Sequence, residues 1–153
     1  MNQPYQEWQR GGFTISTDRA RMQIAVIHDF LSNQSYWLPG VPQSRVQNII
    51  DHALNFGIFE NERQIGYADV ITDFTTFAYL ANVFVLEEYR GHGLSKWLME
   101  CILAHPDLQD FRRWLLATAD AHGLYKQYGF KIIETPERWM ERFDAESYKK
   151  EKL

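Results

Sequence analysis

The stretch that decides the fold is Val83-Phe-Val-Leu-Glu-Glu-Tyr-Arg-Gly-His-Gly-Leu-Ser-Lys-Trp-Leu98. It predicts an apolar strand, a basic glycine-rich turn and then an amphipathic helix. Gly91 and Gly93 let the backbone approach an anion without hindrance from a Cβ atom. The first N–H groups of the helix have no intrahelical partner, and the helix dipole favours the same ligand. Arg90 adds a permanent cation, so the segment predicts a cradle for a phosphate group.

Two common phosphate-binding motifs do not fit this turn. The dinucleotide fingerprint G-x-G-x-x-G lacks its third glycine here, and the P-loop pattern G-x-x-x-x-G-K-[ST] is absent. The pattern that fits is R-x-x-G-x-[GA] after a V-x-V strand, in which Arg90, Gly93 and Ser95 take the key positions. Ser95 stands where this pattern has Gly or Ala, but it is small enough to leave room for a phosphate group.

A second motif lies further along the chain, in Leu124-Tyr-Lys-Gln-Tyr-Gly-Phe130. It resembles L-Y-x-x-x-G-F, and together the two motifs resemble the GNAT superfamily of N-acetyltransferases over residues 56–130. The resemblance implies an α/β (α+β) fold. Its mixed, mostly antiparallel sheet should have about six to seven strands, flanked by about four helices, with a splay between strands 4 and 5.

The order of predicted elements agrees with that topology. Strands are predicted at 13–17, 56–60, 64–72, 77–85, 113–117, 132–133 and 138–143. Helices are predicted after a cap at Thr17 or Asp18, from about Pro42 to Leu54, and over residues 94–105 and 120–128. We therefore expect one N-acetyltransferase domain over residues 1–153, with a core at about 13–143 and a charged tail at 146–153 that frays.

The resemblance implies acetyl-CoA as cosubstrate. The pantetheine arm should lie between strands 77–85 and 113–117, where backbone groups of Val83, Phe84 and Val85 pair with it. Thr118 follows the second of these strands, where the family often has an Asn that contacts the coenzyme; capping a helix is an equal alternative. The pyrophosphate should lie on the turn formed by Arg90, Gly91, His92, Gly93, Leu94 and Ser95.

Tyr125 is the candidate general acid on the family pattern, with a packing role as the alternative and Tyr128 as a neighbouring competitor. A free tyrosine has a pKa of about 10 and a thiol of about 8.5, so full proton transfer to the thiolate requires a lowered tyrosine pKa. The base is not identified, because strand 77–85 contains no Asp or Glu. Candidates from other elements are Asp69, Asp73, Glu87 and His28, each more readily explained as a solvated or structural residue. A water chain, or a substrate amine of low pKa, would need no dedicated base.

The acceptor side should be covered by the first two helices and the loop between them. Tyr36 and Trp37 are large apolar side chains in that loop, where they either form an acceptor pocket with Asp73, Tyr79 and Trp139 or simply pack on the sheet.

Composition excludes several other classes. A net charge of -4 and a pI of 5.7 argue against a nucleic-acid surface. Cys101, the only cysteine, lies in an apolar helical stripe, so we expect a buried thiol, no disulfide and no cysteine-built metal site. No apolar run approaches the length of about 18 residues that a membrane helix needs, and no signal segment is visible. We therefore expect a cytoplasmic protein without metal or membrane partner, and a homodimer is compatible with related folds.

These observations predict transfer of the acetyl group of acetyl-CoA to a primary amine by direct attack in a ternary complex. Two alternatives stay open. The chain could be a non-catalytic acyl-CoA binding or sensing module of the same fold, or a nucleotide-binding regulator.

Overall fold

The computed structural model describes residues 4–150, which form a six-stranded sheet with strands in the order β1 to β6. The strands are β1 (Glu7–Arg10), β2 (Phe13–Ser16), β3 (Leu54–Glu60), β4 (Arg63–Thr72), β5 (Phe77–Val85) and β6 (Arg113–Leu115). Neighbouring strands are antiparallel from β1 to β5, whereas β5 and β6 are parallel. The predicted mixed, mostly antiparallel sheet is confirmed.

Four α-helices accompany the sheet in the described part of the chain: α1 (Ile24–Asp29), α2 (Gln43–His52), α3 (Leu94–Ala104) and α4 (His122–Lys126). A π-helical turn, Phe30–Gln34, directly extends α1. Pro42 precedes the first residue of α2, because its fixed φ suits the start of a helix and its missing N–H is not needed there. Short 3₁₀ turns lie at Arg19–Arg21, Glu87–Tyr89, Pro136–Arg138 and Ser147–Lys150.

Each face of the sheet has its own apolar core. One core lies between the sheet and α3, whose inward face buries Leu94, Trp97, Leu98, Cys101 and Ile102. The other lies under α1 and α2, where the rings of Phe30 and Phe84 stack with centroids 4.1 Å apart. Full burial of such side chains stabilises the fold by about 1.5–3 kcal/mol each, so both helical layers are held firmly on the sheet.

The sheet opens between its last two strands. β5 pairs with β6 only from Phe77 to Tyr79, so residues 80–85 extend beyond the last paired residue. This is the predicted splay. The predicted strands 4 and 5 are the observed β5 and β6, because β1 is an additional strand that precedes the predicted ones.

A β-bulge interrupts β5 next to this opening. Asp69 of β4 is opposite Ala81 and Tyr67 is opposite Phe84, so two residues of β5 face one residue of β4. Asn82 is the bulged residue, with φ of 57°, a left-handed conformation that Asn tolerates better than most residues. The bulge turns the Asn82 side chain towards the α2 face of the sheet, where it meets Asp69.

Several predicted elements are wrong. Glu7–Arg10 is a strand that was not predicted. Residues 132–133 and 138–143 are not strands, and Pro136 begins a 3₁₀ turn inside that segment. In the charged tail, Ser147–Lys150 forms a 3₁₀ turn and 151–153 lie outside the described residues, so the fraying of this tail stays a prediction.

Candidate active site

A cavity of about 890 Å³ lies between α2 and the opening of the sheet. Its walls come from the loop after α1, from β4 and β5, from the segment after β6 and from the C-terminal turn. Residues that predictions placed at the site and that line it are Tyr36, Trp37, Tyr79, Val83, Thr118 and Tyr125. The sheet opening, the candidate acid and the candidate acceptor residues thus meet in one space.

The predicted phosphate cradle lies at the N-terminus of α3. The first backbone hydrogen bond of α3 runs from the N–H of Trp97 to the carbonyl of Gly93. The N–H groups of residues 91–96 have no acceptor within residues 4–150. Gly91 and Gly93 have φ of 86° and 72°, which L-residues rarely adopt. A Cβ atom built on either one meets no protein atom within 4 Å. The cradle is open and lined with free donors.

Three residues that were predicted to contact the coenzyme already have side-chain contacts within the protein. The guanidinium of Arg90 donates from Nε to the carbonyl of Val85 at 3.1 Å, which fixes the turn against the end of β5. The ring of Phe84 is buried against Phe30, so only its backbone is available to a ligand. Thr118 Oγ1 accepts the N–H of Ala121 at 3.0 Å, so Thr118 caps the turn before α4 and also lines the cavity.

Tyr125 lies at the cavity from α4 and is 8% exposed. Burial, with smaller contributions from Tyr36 and Asp120, raises its pKa to about 12. The condition for full proton transfer, a lowered pKa, is therefore not met. At neutral pH Tyr125 holds its proton and is suited to donate a hydrogen bond to a developing thiolate.

The loop after α1 forms the opposite wall of the cavity. The hydroxyl of Tyr36 accepts the amide N–H of Ala119 at 2.8 Å, so the loop reaches the segment that follows β6. The Trp37 ring meets the Tyr36 ring edge-on, with centroids 4.9 Å apart. Its Nε1 donates to Oδ1 of Asn82 at 3.0 Å. The two aromatic residues therefore combine packing with hydrogen bonds that fix the wall.

Asp69 is a carboxylate with 0% exposure in the wall of this cavity. Its Oδ2 accepts from Nδ2 of Asn82 at 2.7 Å, whereas its Oδ1 accepts no hydrogen bond from any of residues 4–150. Burial raises the pKa of Asp69 to about 7, and the hydrogen bond from Asn82 opposes this rise. Among the candidate bases from the sequence, this is the one that the fold brings to the cavity.

Asp73 does not line the cavity. It lies in the turn between β4 and β5, where its Oδ1 accepts N–H bonds from Thr75, Thr76 and Phe77 at 2.9, 2.8 and 3.1 Å. Together with the Thr76 hydroxyl, these bonds hold the pKa of Asp73 well below its usual range. Its observed role is to stabilise that turn.

Other candidates also lie elsewhere. His28 contacts the carbonyl of Val41 at 3.0 Å, and Glu87 lies in an exposed turn after β5. Trp139 lines a second cavity of about 800 Å³, which shares Tyr125 with the first.

Residues that were not predicted as site residues also line the first cavity. They are His52 at the end of α2, Asp120 before α4 and Tyr148 in the C-terminal turn, together with Asn82. The Tyr148 ring is half-buried and lies under the guanidinium of Arg45, 5.5 Å from it. Tyr148 lies 23 residues after Tyr125, and no sequence periodicity links the two, so the sequence offers no reason to place Tyr148 at this cavity.

Comparison with known proteins supports the assignment that these features suggest. Residues 52–132 match the acetyltransferase (GNAT) domain family. A curated Gibberella zeae protein, whose name marks it as a candidate acetyltransferase, is 30% identical over 150 residues, which cover 82% of this chain and 83% of the relative.

Solved structures agree. A GNAT-family structure from Xanthomonas campestris is 48% identical, with a TM-score of 0.88 over 92% of this chain and 99% of that one. A Clostridium acetobutylicum acetyltransferase structure with acetyl-CoA is 16% identical, with a TM-score of 0.63 over 91% of this chain and 94% of that one, and shows the shared fold.

The sheet opening beside a glycine-rich helix start defines an acyltransferase fold. The chain belongs to the GNAT family of acetyltransferases, whose general activity is acetyl transfer. None of the helices within residues 4–150 has the length and apolar composition that crossing a membrane requires. The same residues contain no cluster of three or more His, Cys, Asp or Glu side chains suited to a metal ion.

Proposed function

We propose that this protein transfers the acetyl group of acetyl-CoA to a primary amine by direct attack in a ternary complex. The observations that carry the proposal are the open gap between β5 and β6, bordered by Tyr125, and the free amides at the start of α3, the helix that follows β5 along the chain. A gap of this kind admits an extended thioester, and the free amides suit its pyrophosphate.

The residues of the cradle fit acetyl-CoA. The N–H groups of residues 91–96 and the positive end of α3 complement negative charge, and no side chain fills the space over Gly91 and Gly93. Acetyl-CoA supplies the activated thioester carbonyl. The relative from Clostridium acetobutylicum contains acetyl-CoA, which supports the same ligand here.

The chain would contribute three functions to the transfer. Backbone groups of residues 83–85 would hold the pantetheine and stabilise the negative charge that develops on the carbonyl oxygen, where one such donor is worth about 2.7–4 kcal/mol in other enzymes. Tyr125 would donate a hydrogen bond to the departing sulfur. The wall formed by Tyr36 and Trp37 would position the amine for attack.

Cys101 does not suit a covalent acetyl-enzyme pathway. The thiol is buried in the core beneath α3, and burial raises its pKa to about 12, so the thiolate nucleophile is scarce at neutral pH. We therefore favour direct attack by the amine on the thioester, which needs no nucleophile from the protein.

The proposal is tested first by isothermal titration of the protein with acetyl-CoA, with ATP and NAD as controls. Selective binding of acetyl-CoA supports the cradle, and equal binding of ATP points to a nucleotide regulator. A thiol-release assay with phenethylamine, spermidine and lysine methyl ester then tests the amine acceptor. Tight acetyl-CoA binding without thiol release on any amine would favour a non-catalytic acyl-CoA binding module.

A further inference from the structure

We infer that Asp69 accepts the proton that the acceptor ammonium must lose before it attacks, and that its Oδ1 is the accepting atom. This inference rests on the proposed amine acetylation. It assigns a catalytic role to a carboxylate on β4, the strand next to β5, in a chain whose β5 has no acid.

The hydrogen bonds around Asn82 determine which oxygen of Asp69 is free. Trp37 Nε1 can only donate, so the side-chain atom of Asn82 that faces it must be Oδ1. The amide NH₂ of Asn82 then faces Asp69 and donates to Oδ2. Because Oδ2 is already an acceptor in this bond, an added proton belongs on Oδ1.

The remaining neighbours leave Oδ1 available. The hydroxyl of Tyr67 has a single proton, which it donates to Oδ1 of Asn55. Asn55 itself is fixed by bonds from its Nδ2 to the carbonyls of Ile50 and Ala53, at 2.9 and 3.3 Å. The network thus orients Asp69, which is buried in the cavity wall. Its Oδ1 receives no hydrogen bond from residues 4–150.

The surroundings of Asp69 also suit a base. A carboxyl with pKa of about 7 is closer to an alkylammonium of pKa about 10.4 than a solvated aspartate of pKa about 3.9 would be. The carboxyl meets Tyr67 on its own strand and Asn82 on β5. Arg19 acts electrostatically on Tyr67. The other titratable groups that line the same cavity are Tyr36, His52, Tyr79, Asp120, Tyr125 and Tyr148.

The proposed step balances. One N–H bond of the ammonium breaks, an O–H bond forms at Asp69 Oδ1, and the freed nitrogen lone pair attacks the thioester carbon. The C–S bond then breaks, the nitrogen loses a second proton, and the departing thiolate gains one while Tyr125 steadies it. Asp69 returns its proton to water, so the net products are the acetamide, CoA thiol and one proton. Because Oδ1 has no exposed surface, the proton arrives through one water or after a small shift of the wall.

Asp69→Asn tests this step, because asparagine keeps the shape and an acceptor for Asn82 but cannot take the proton. With saturating acetyl-CoA and phenethylamine as the probe, wild-type kcat should rise with pH and level off above about 7. Asp69→Asn should lower kcat at pH 8 by about 100-fold or more and lose this dependence. The matched control is Asp51→Asn on α2, whose exposed carboxylate accepts a hydrogen bond from Gln47 at 2.9 Å. This variant should match wild type. An unchanged kcat in Asp69→Asn overturns the inference. The inference also fails if kcat keeps its pH dependence in Asp69→Asn and loses it in His52→Gln.

A measurement on the wild-type protein does not depend on how the variant folds. The carboxyl ¹³C resonance of Asp69, assigned through backbone connectivity, should titrate near pH 7 in the coenzyme-free protein. Titration below about pH 5 overturns the inference, because Asp69 would then be too weak a base.

The two proposals fail differently. A wild-type protein that binds acetyl-CoA but acetylates no amine defeats the proposed acceptor class, and the role of Asp69 falls with it. If wild type and Asp69→Asn acetylate phenethylamine equally well, the proposed function stands and only the role of Asp69 is refuted.

Discussion

Replacing Asp69 with asparagine should remove a pH dependence from the free energy of unfolding. The pKa of Asp69 is raised from 3.8 to about 7 in the folded protein, chiefly by burial. Between about pH 4 and pH 7 the unfolded carboxyl is ionised while the folded one stays protonated. The unfolded state binds fewer protons in this range, so stability falls as pH rises and then levels off above pH 7.

The magnitude follows from that difference in pKa. At 1.36 kcal/mol for each pK unit, the wild-type protein should lose about 4 kcal/mol between pH 4 and pH 8 through this one group. Asparagine does not titrate, so the stability of Asp69→Asn relative to wild type should increase by about that amount over the same range. The low-pH difference between the proteins serves as the reference, because both then carry a neutral side chain.

The assay is urea unfolding at pH 4, 5, 6, 7 and 8, followed by tryptophan fluorescence. Asp51→Asn, which removes an exposed carboxylate of α2, is the control and should follow the wild-type curve. A difference between Asp69→Asn and wild type that stays constant within about 1 kcal/mol across this range would refute the reasoning, because it would show an unshifted carboxyl.

Four further outcomes are expected. Tyr125→Phe should lower kcat by about 10- to 100-fold with an unchanged Kd for acetyl-CoA, because only a hydrogen bond to the departing sulfur is lost; equal kcat would exclude it from the chemistry. Gly93→Ala should weaken acetyl-CoA binding in titration calorimetry more than Gly12→Ala, since both glycines have positive φ (72° and 86°) but only Gly93 lies in the cradle. Tyr148→Ala should change the ranking of amines in the thiol-release assay but leave acetyl-CoA affinity intact, and an unaltered ranking would remove it from the acceptor wall. Cys101 should resist a thiol reagent in the native protein and react after urea unfolding, because the thiol is buried and its pKa is raised to about 12; rapid native labelling would contradict this.

The parts of the fold set by local chemistry were predictable from the sequence. The glycine-rich turn before α3 and the tyrosine motif in α4 depend on short-range geometry, and the structure has both elements at the expected positions. β1 was missed because Glu7–Arg10 is largely polar and lies at the sheet edge, where one face needs little apolar surface. Residues 138–143 alternate enough to resemble a strand, but a strand also needs a partner edge, and Met140 is 96% exposed.

Asp69 was among the sequence candidates, but its burial could not be predicted from the sequence, for a different reason. Aspartate is seldom fully buried, so its presence in a predicted strand reads as a solvated side chain. Its burial depends on the bulge at Asn82 and on the loop that carries Trp37, which are long-range contacts without a local signal.

The cavity wall that we propose faces the acceptor comes from two separate parts of the chain. Tyr36 and Trp37 precede the segment shared with the GNAT domain family, residues 52–132, and Tyr148 follows it. The cradle, the sheet opening, Asp69 and Tyr125 all lie inside that segment. Relatives can therefore retain the coenzyme apparatus while their terminal segments diverge, and substrate choice can evolve separately from acetyl transfer. The amine that a distant relative acetylates should therefore predict the amine of this protein only when the relative also shares the Tyr36–Trp37 loop and the C-terminal turn.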